Sequence, residues 1–114
     1  MNLGSYRRLL VFLGVAALCW NATASPANAS APDAAQIVIK NFMFMPSSLT
    51  VKAGSTVTWA NKDDEPHTVV SDIALFRSGA VDTEETFSFK FSKPGVYHFS
   101  CSIHPQMIGT IVVE

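Results

Sequence analysis

Cysteine, histidine and positive charge are scarce in this sequence. Its 114 residues contain two cysteines, Cys19 and Cys101, three histidines, and eight Lys and Arg against nine Asp and Glu, for a net charge of −1. Without a basic patch interleaved with aromatic residues, nucleic acid is not an expected partner. A hydrophobic content of 48%, with 11% aromatic residues, is inconsistent with a disordered chain and indicates one compact domain.

The sequence also has no apolar run of the length that crosses a bilayer, about 20 residues. Residues 9–20 are apolar and uncharged over only twelve positions, and they follow Arg7 and Arg8 and precede small residues. This is the layout of a secretory signal peptide, so export is expected, without stable membrane insertion after cleavage. The general secretory route is favoured, because the residues after the two arginines match the twin-arginine pattern poorly.

Removal of the signal peptide changes what the cysteines imply. Cleavage is predicted after Ala24, with Ala29 as the alternative, so residues 1–24 form the signal peptide. Lipid attachment at Cys19 is not expected, because a bulky leucine precedes it where such sites need a small residue. The mature chain then keeps one thiol, Cys101, in a compartment that favours disulfides. Burial as a small apolar residue would explain a lone thiol, but metal ligation would also explain the residues around it.

Three candidate metal ligands, Cys101, His104 and Met107, follow one another at intervals of three residues. A thiolate, an imidazole and a weak thioether, completed by one more histidine, make the ligand set of a blue-copper electron-transfer site. The further histidine is expected to be His67. Side chains alternate along a strand, so His98 would point away from Cys101.

Other readings of the candidate residues remain open. Gln106 is an alternative axial ligand, and Met43 and Met45 are interpreted as packing or rim residues rather than ligands. The acidic run at residues 63–65 is interpreted as a solvated loop, with steering of a cationic partner as the alternative. Zinc is the rival metal, but structural zinc usually needs four strong donors and catalytic zinc an open position for water. A methionine in fourth place therefore favours copper.

Apolar and polar residues alternate in short runs separated by turn-forming residues, and the mature chain shows no amphipathic helix. Strands are predicted at residues 36–44, 49–52, 55–60, 68–70, 86–91, 96–101 and 108–113. Residues 71–85 are predicted to be a long connection with Leu75 and Phe76 packed inside. The fold class is therefore all-β, an antiparallel Greek-key β-sandwich of about seven or eight strands at residues 36–114, after a flexible leader at residues 25–35.

Several ordered motifs make the sequence similar to the cupredoxins. The short Cys-x-x-His-x-x-Met loop most resembles that of the amicyanins, with plastocyanins and pseudoazurins as relatives. The matching segments are residues 41–46, 51–54, 57–61, 66–69, 93–97 and 101–107. The resemblance implies a cupredoxin-like sandwich that binds one copper ion, as Cu(I) or Cu(II), through the ligands His67, Cys101, His104 and Met107. One departure is Thr68, where several relatives have an asparagine that bonds near the ligand cysteine.

The expected function is that of a type 1 (blue) copper protein acting as a periplasmic one-electron carrier. A periplasmic copper chaperone or copper-storage module is the alternative, and a structural domain without metal is a third class that copper uptake would exclude. The resemblance implies a monomer that meets redox partner proteins, a cytochrome or a periplasmic dehydrogenase or oxidase. An enzyme is not expected, because no nucleophile is paired with a base and four filled ligand positions leave none for a substrate.

Overall fold

The computed structural model describes residues 34–114, together with Gly14 and Ala16. The predicted cleavage sites, and the predicted signal peptide apart from Gly14 and Ala16, lie outside the described residues. The described part of the chain forms the strands β1 Ala34–Lys40, β2 Met43–Met45, β3 Ser48–Val51, β4 Ser55–Asn61, β5 Val70–Ser71, β6 Thr86–Phe91, β7 Gly95–Ser100 and β8 Ile108–Val113. Among the residues described, no helix is long and apolar enough to cross a membrane.

The eight strands form two four-stranded sheets, in the orders β2-β1-β4-β6 and β3-β8-β7-β5. The all-β sandwich predicted from the sequence is confirmed, but both sheets are mixed. β1 runs parallel to β4 and β3 runs parallel to β8, whereas the other pairs are antiparallel. Parallel neighbours need a crossover connection, and here the chain passes through β2 and β3 before β4 pairs with β1. Alternation along a strand reports its buried face and not the direction of its neighbour, so the sequence did not reveal these pairings.

The core lies between the two sheets and is rich in aromatic side chains. Trp59 on β4 and Phe99 on β7 meet edge to face with ring centroids 5.3 Å apart, which joins the inner faces of the sheets. Phe76, in the connection between β5 and β6, packs against Trp59 at 5.6 Å. The prediction that residues 75 and 76 pack inside is right for Phe76, which is buried, and wrong for Leu75, which is 44% exposed.

The segment predicted as a first strand at residues 36–44 is divided by a turn. Asn41 and Phe42 form a two-residue hairpin loop between β1 and β2, in which Lys40 pairs with Met43. Both turn residues have positive φ, at 53° and 56°. Such loops are usually marked by Asn-Gly or Asp-Gly, so a phenylalanine in the second position concealed the turn within an apolar run.

Candidate metal centre

The loop between β7 and β8 carries Cys101, His104 and Met107. The backbone N–H of Cys101 donates to the Met107 carbonyl at 3.1 Å, and the N–H of Met107 donates to the His104 carbonyl at 2.9 Å. These bonds close the loop into a compact turn. Side chains along β7 alternate between the core and solvent, which buries Phe99 and then Cys101, the latter fully. His98 lies on the exposed face, with its Nδ1 3.1 Å from the Thr110 hydroxyl.

His67 lies in the loop between β4 and β5 and is fully buried. A short antiparallel bridge fixes its backbone: the His67 N–H donates to the Val81 carbonyl at 3.1 Å, and the Val81 N–H donates to the His67 carbonyl at 2.7 Å. Val81 belongs to the long connection before β6 and is itself buried. The backbone of His67 is therefore held by the connection before β6 and not by the loop that carries Cys101.

The structure brings His67, Cys101 and His104 together, with one ligand atom of each within 4.8 Å of the others. The Nδ1 atoms of His67 and His104 are 3.9 and 3.8 Å from the Cys101 sulfur. An ion bonded to sulfur at about 2.3 Å and to imidazole nitrogen at about 2.1 Å, with an angle of about 120°, would separate the two donors by about 3.8 Å. The side chains thus already stand at the spacing that one metal ion requires.

Asp63 orients His67, and the interpretation of this residue as part of a solvated loop is wrong. Its carboxylate is buried and accepts the Nε2–H of His67 at 2.9 Å. It also accepts the backbone N–H groups of Asn41 at 2.7 Å and Phe42 at 3.0 Å. An ionised carboxylate only accepts hydrogen bonds, so Nε2 of His67 carries a proton, and Nδ1 is the ring nitrogen that faces Cys101.

The electrostatics of Asp63 follow from these contacts. Burial acts to raise the pKa of the Asp63 carboxyl, but the hydrogen bonds from Phe42, Asn41 and His67 outweigh it and hold that pKa below its usual 3.8. A metal-ligating histidine commonly donates its other ring N–H to a carboxylate. An Asp four residues before a candidate ligand was the signal that could have identified this contact. Asp64 and Glu65, by contrast, are exposed.

Four residues carry a thioether or amide side chain that could complete the centre as a weak fourth ligand. Met107 is 2% exposed and belongs to the same buried apolar cluster as Cys101. Met43 and Met45 are 52% and 46% exposed on β2, and Gln106 is exposed in the loop. Met107 is therefore the one member of this group that lies in the interior with the thiol.

Comparison with known proteins agrees with this geometry. The chain matches the cupredoxin-like domain family over residues 10–113. The chain belongs to the cupredoxin-like family. The resemblance predicted from the sequence motifs is confirmed, and the His-Cys-His group is of the kind that can hold one metal ion.

The relatives of this cupredoxin-like chain include amicyanins and plastocyanins. Amicyanin-alpha of Methylorubrum extorquens is 34% identical over 116 residues, covering 93% of this chain and 92% of the relative. A plastocyanin of Scenedesmus fuscus is 40% identical over 85 residues, covering 63% and 87%. A reduced amicyanin variant superposes with a TM-score of 0.67 at 31% identity, covering 71% of this chain and 82% of that structure. The purple cupredoxin of Nitrosopumilus maritimus gives 0.67 at 34% identity, covering 72% and 100%.

Thr68, the departure noted in the sequence, connects the two halves of the centre. Its backbone N–H donates to the Cys101 sulfur at 3.4 Å, and its hydroxyl lies 3.7 Å from the same atom. The hydroxyl also accepts the backbone N–H of Ser102 at 2.8 Å and lies 2.8 Å from the Ser102 hydroxyl. Thr68 therefore bonds both to the sulfur and to the loop that carries it.

The same contacts control the charge of Cys101. Burial by itself would raise the pKa of the Cys101 thiol, but the Thr68 N–H, the two imidazoles and the Thr68 hydroxyl together lower it from 9.0 to about 6. The cysteine of this cupredoxin-like chain is accordingly a thiolate at neutral pH. A thiolate is the form that binds a metal.

Phe42 is a second residue that the sequence analysis did not associate with the centre. Its ring meets the ring of His67 at a centroid distance of 5.3 Å and that of His104 at 5.0 Å, both edge to face. The two imidazoles are themselves 5.1 Å apart. Phe42 is 45% exposed, so its other side faces solvent. No local sequence signal marks this contact, because it depends on the turn at the end of β1.

Proposed function

We propose that this chain binds one copper ion through His67, Cys101, His104 and Met107 and works as a periplasmic one-electron carrier. The observation that carries the proposal is the 3.8 and 3.9 Å spacing of the two imidazole nitrogens from the cysteine sulfur. Copper is supported by the relatives, since one similar amicyanin structure, with a TM-score of 0.67 at 33% identity and covering 75% of this chain and 88% of that structure, is described as a Cu(I) form. A buried thioether beside two imidazoles and a thiolate suits copper better than zinc.

The protein's contribution is to hold these donors still. Bound copper supplies a Cu(I)/Cu(II) couple, for which thiolate and thioether favour Cu(I) while imidazoles accept Cu(II). Asp63 fixes the tautomer of His67, and Thr68 holds the Cys101 sulfur by its backbone N–H. A ligand set fixed by surrounding hydrogen bonds rearranges little when its charge changes. Small rearrangement favours rapid electron transfer over chemistry on a substrate, so we do not expect an enzyme.

Electron exchange with partner proteins is proposed to occur at the surface around His104. That histidine is half-buried, unlike His67, and large apolar side chains lie exposed nearby in its loop and at its end. Ile103 is 52% and Ile108 67% exposed. An apolar patch of this kind suits brief docking of a cytochrome or a periplasmic dehydrogenase or oxidase by a monomeric carrier.

A copper chaperone or storage module is the second candidate. The exposed thioethers of Met43 and Met45 on β2 favour it, because soft thioether ligands select Cu(I). The two functions separate in one measurement: a carrier is reduced and reoxidised with its copper retained, whereas a handling protein gives its copper up rapidly to an acceptor.

Addition of Cu(II) to the purified protein tests the leading proposal. We expect an intense visible absorption band from charge transfer between thiolate and copper, and its loss in Cys101→Ser, because a serine oxygen is too hard and too basic to replace the thiolate. His98→Ala is the matched control, since that histidine is exposed on the opposite face of β7 and should leave the band intact. A band that survives in Cys101→Ser would refute the assignment.

A further inference from the structure

The turn between β1 and β2 places a large side chain where the backbone disfavours it. Phe42 is the second residue of a two-residue hairpin loop and has φ of 56°. Left-handed backbone is uncommon for a bulky residue, and glycine is the favoured residue at this position of such a loop. Strained backbone conformations cluster at functional sites, so the strained Phe42 beside the metal centre suggests a role for this residue there.

Two sets of contacts fix Phe42 in this conformation. The Asp63 carboxylate accepts the backbone N–H groups of both turn residues, at 2.7 Å from Asn41 and 3.0 Å from Phe42. The Phe42 ring then lies edge to face against the imidazoles of His67 and His104. Because the same carboxylate also holds the Nε2 of His67, the turn and the metal centre share one anchor.

The position of the ring relative to the thiol follows from these distances. The two imidazoles stand 3.8 and 3.9 Å from the Cys101 sulfur, and Phe42 contacts both of them. Phe42 is 45% exposed, whereas His67 and Cys101 are fully buried. The ring therefore lies between solvent and the pair of imidazoles that flank the sulfur.

We propose that Phe42 is a positioning residue that closes the solvent side of the metal centre, limiting access to Cys101 and holding the two imidazoles in place. In the metal-free protein it slows the approach of reagents to the sulfur. In the copper form, which rests on the function proposed above, it slows the loss of the ion to competing ligands. The strained turn then serves to place an aromatic ring against the two histidines.

Three variants separate this role from general stability. Phe42→Gly removes the ring and supplies the residue that the turn prefers, so the unfolding midpoint of the metal-free protein should not fall. Phe42→Tyr keeps the ring and should behave as the parent protein. Met45→Ala is the matched control, because Met45 lies on the same hairpin with a similar exposed fraction, 46%, and makes no aromatic contact with the histidines.

The measurement is the rate at which iodoacetamide alkylates Cys101 in the metal-free protein. Rates are compared on the high-pH plateau of each variant, where the thiol is fully ionised, so the rate reports access rather than proton loss. In the parent protein, the two edge-to-face contacts of Phe42 must break before the reagent reaches the sulfur. Loss of both contacts should raise the alkylation rate of Phe42→Gly about tenfold, while the rates of Phe42→Tyr and Met45→Ala should equal that of the parent. Equal rates for the parent and Phe42→Gly would overturn the proposal, as would an equal acceleration in Met45→Ala.

A second measurement follows the transfer of copper from the loaded protein to a Cu(I) chelator. We expect Phe42→Gly to release copper about tenfold faster than the parent, and Phe42→Tyr to match the parent. Unchanged release from a protein that holds copper would overturn the role proposed for the copper form. Failure of every variant and the parent to bind copper would instead refute the proposed function, and the alkylation rates would still decide the role of Phe42 at the thiol.

Discussion

Cys101 is the residue on which the charge of the centre depends. A buried thiol is normally inert and protonated, yet the Thr68 N–H and two imidazoles lower the pKa of this one to about 6 against the burial that opposes it. At neutral pH the site therefore presents a thiolate before any ion arrives. No proton then has to leave the cysteine when a metal binds at neutral pH.

Met107 is expected to tune the copper more than to hold it. A long thioether bond adds little affinity beside thiolate and imidazole, but its softness favours Cu(I). Met107→Gln replaces it with a harder amide oxygen, so the protein should stay coloured while its reduction potential falls by on the order of 100 mV. Cyclic voltammetry measures the shift.

Gln106→Ala is the control for that experiment, since the Gln106 side chain is exposed in the same loop. Its potential should equal that of the parent protein. The opposite pattern, with a shift in Gln106→Ala and none in Met107→Gln, would make Gln106 the axial ligand.

At the scale of elements, the loop that carries Cys101 and His104 is supported by close packing between β7 and β8, the two strands that it joins. Gly109 on β8 pairs with Phe99 on β7, and a side chain added at Gly109 would place its Cβ 2.2 Å from Cζ of Phe99. Phe99 is held in turn by Trp59 at 5.3 Å and Phe44 at 4.8 Å. The Phe99 ring is therefore buried and packed against two other aromatic rings.

Gly109→Ala should accordingly lower the free energy of unfolding by about 1–3 kcal/mol, the usual cost of overfilling a packed core. Urea denaturation of the metal-free protein measures this change. Phe99→Leu in the same chain removes the atoms that clash, so the double variant should lose less than the sum of the two single variants. Strictly additive losses would show that the two residues do not compete for the same space.

Much of each element could be predicted from the sequence, because the relevant patterns are local. Alternation located β6 and β8 at their observed bounds, and it set His98 on the face opposite Cys101. The spacing of Cys101 and His104 likewise identified a loop whose donors the structure brings together. What escaped prediction depends on pairing between distant segments. Asp63 looked like one of three solvated acids because its partners Asn41 and Phe42 lie more than 20 residues earlier.

At the scale of the whole molecule, ionisation of the thiol links stability to pH. The pKa of Cys101 is about 6 in the folded metal-free protein and 9.0 as an ordinary thiol. The unfolded chain therefore binds more protons between these values, and the contribution to stability is present above pH 9 and lost as the pH falls through about 6. The unfolding midpoint should rise by several degrees from about pH 6 to about pH 9.

Thermal unfolding of the metal-free protein across this range measures the effect. Cys101→Ser has no thiol to ionise, so its midpoint should change much less over the same interval. Parallel curves for the two proteins would mean that other groups produce the pH dependence.

Strand pairing between distant segments also determines when the centre can form as the chain folds. β3 reaches its neighbour β8 across some 60 residues, and His67 meets Cys101 across 34. Contacts between residues so far apart in sequence form slowly, because the ends of a long loop must first be brought together. Pairing of β5 with β7, which sets Val70 opposite Ser100, brings the segments that carry His67 and Cys101 together, so copper acquisition is expected only after this long-range contact has formed.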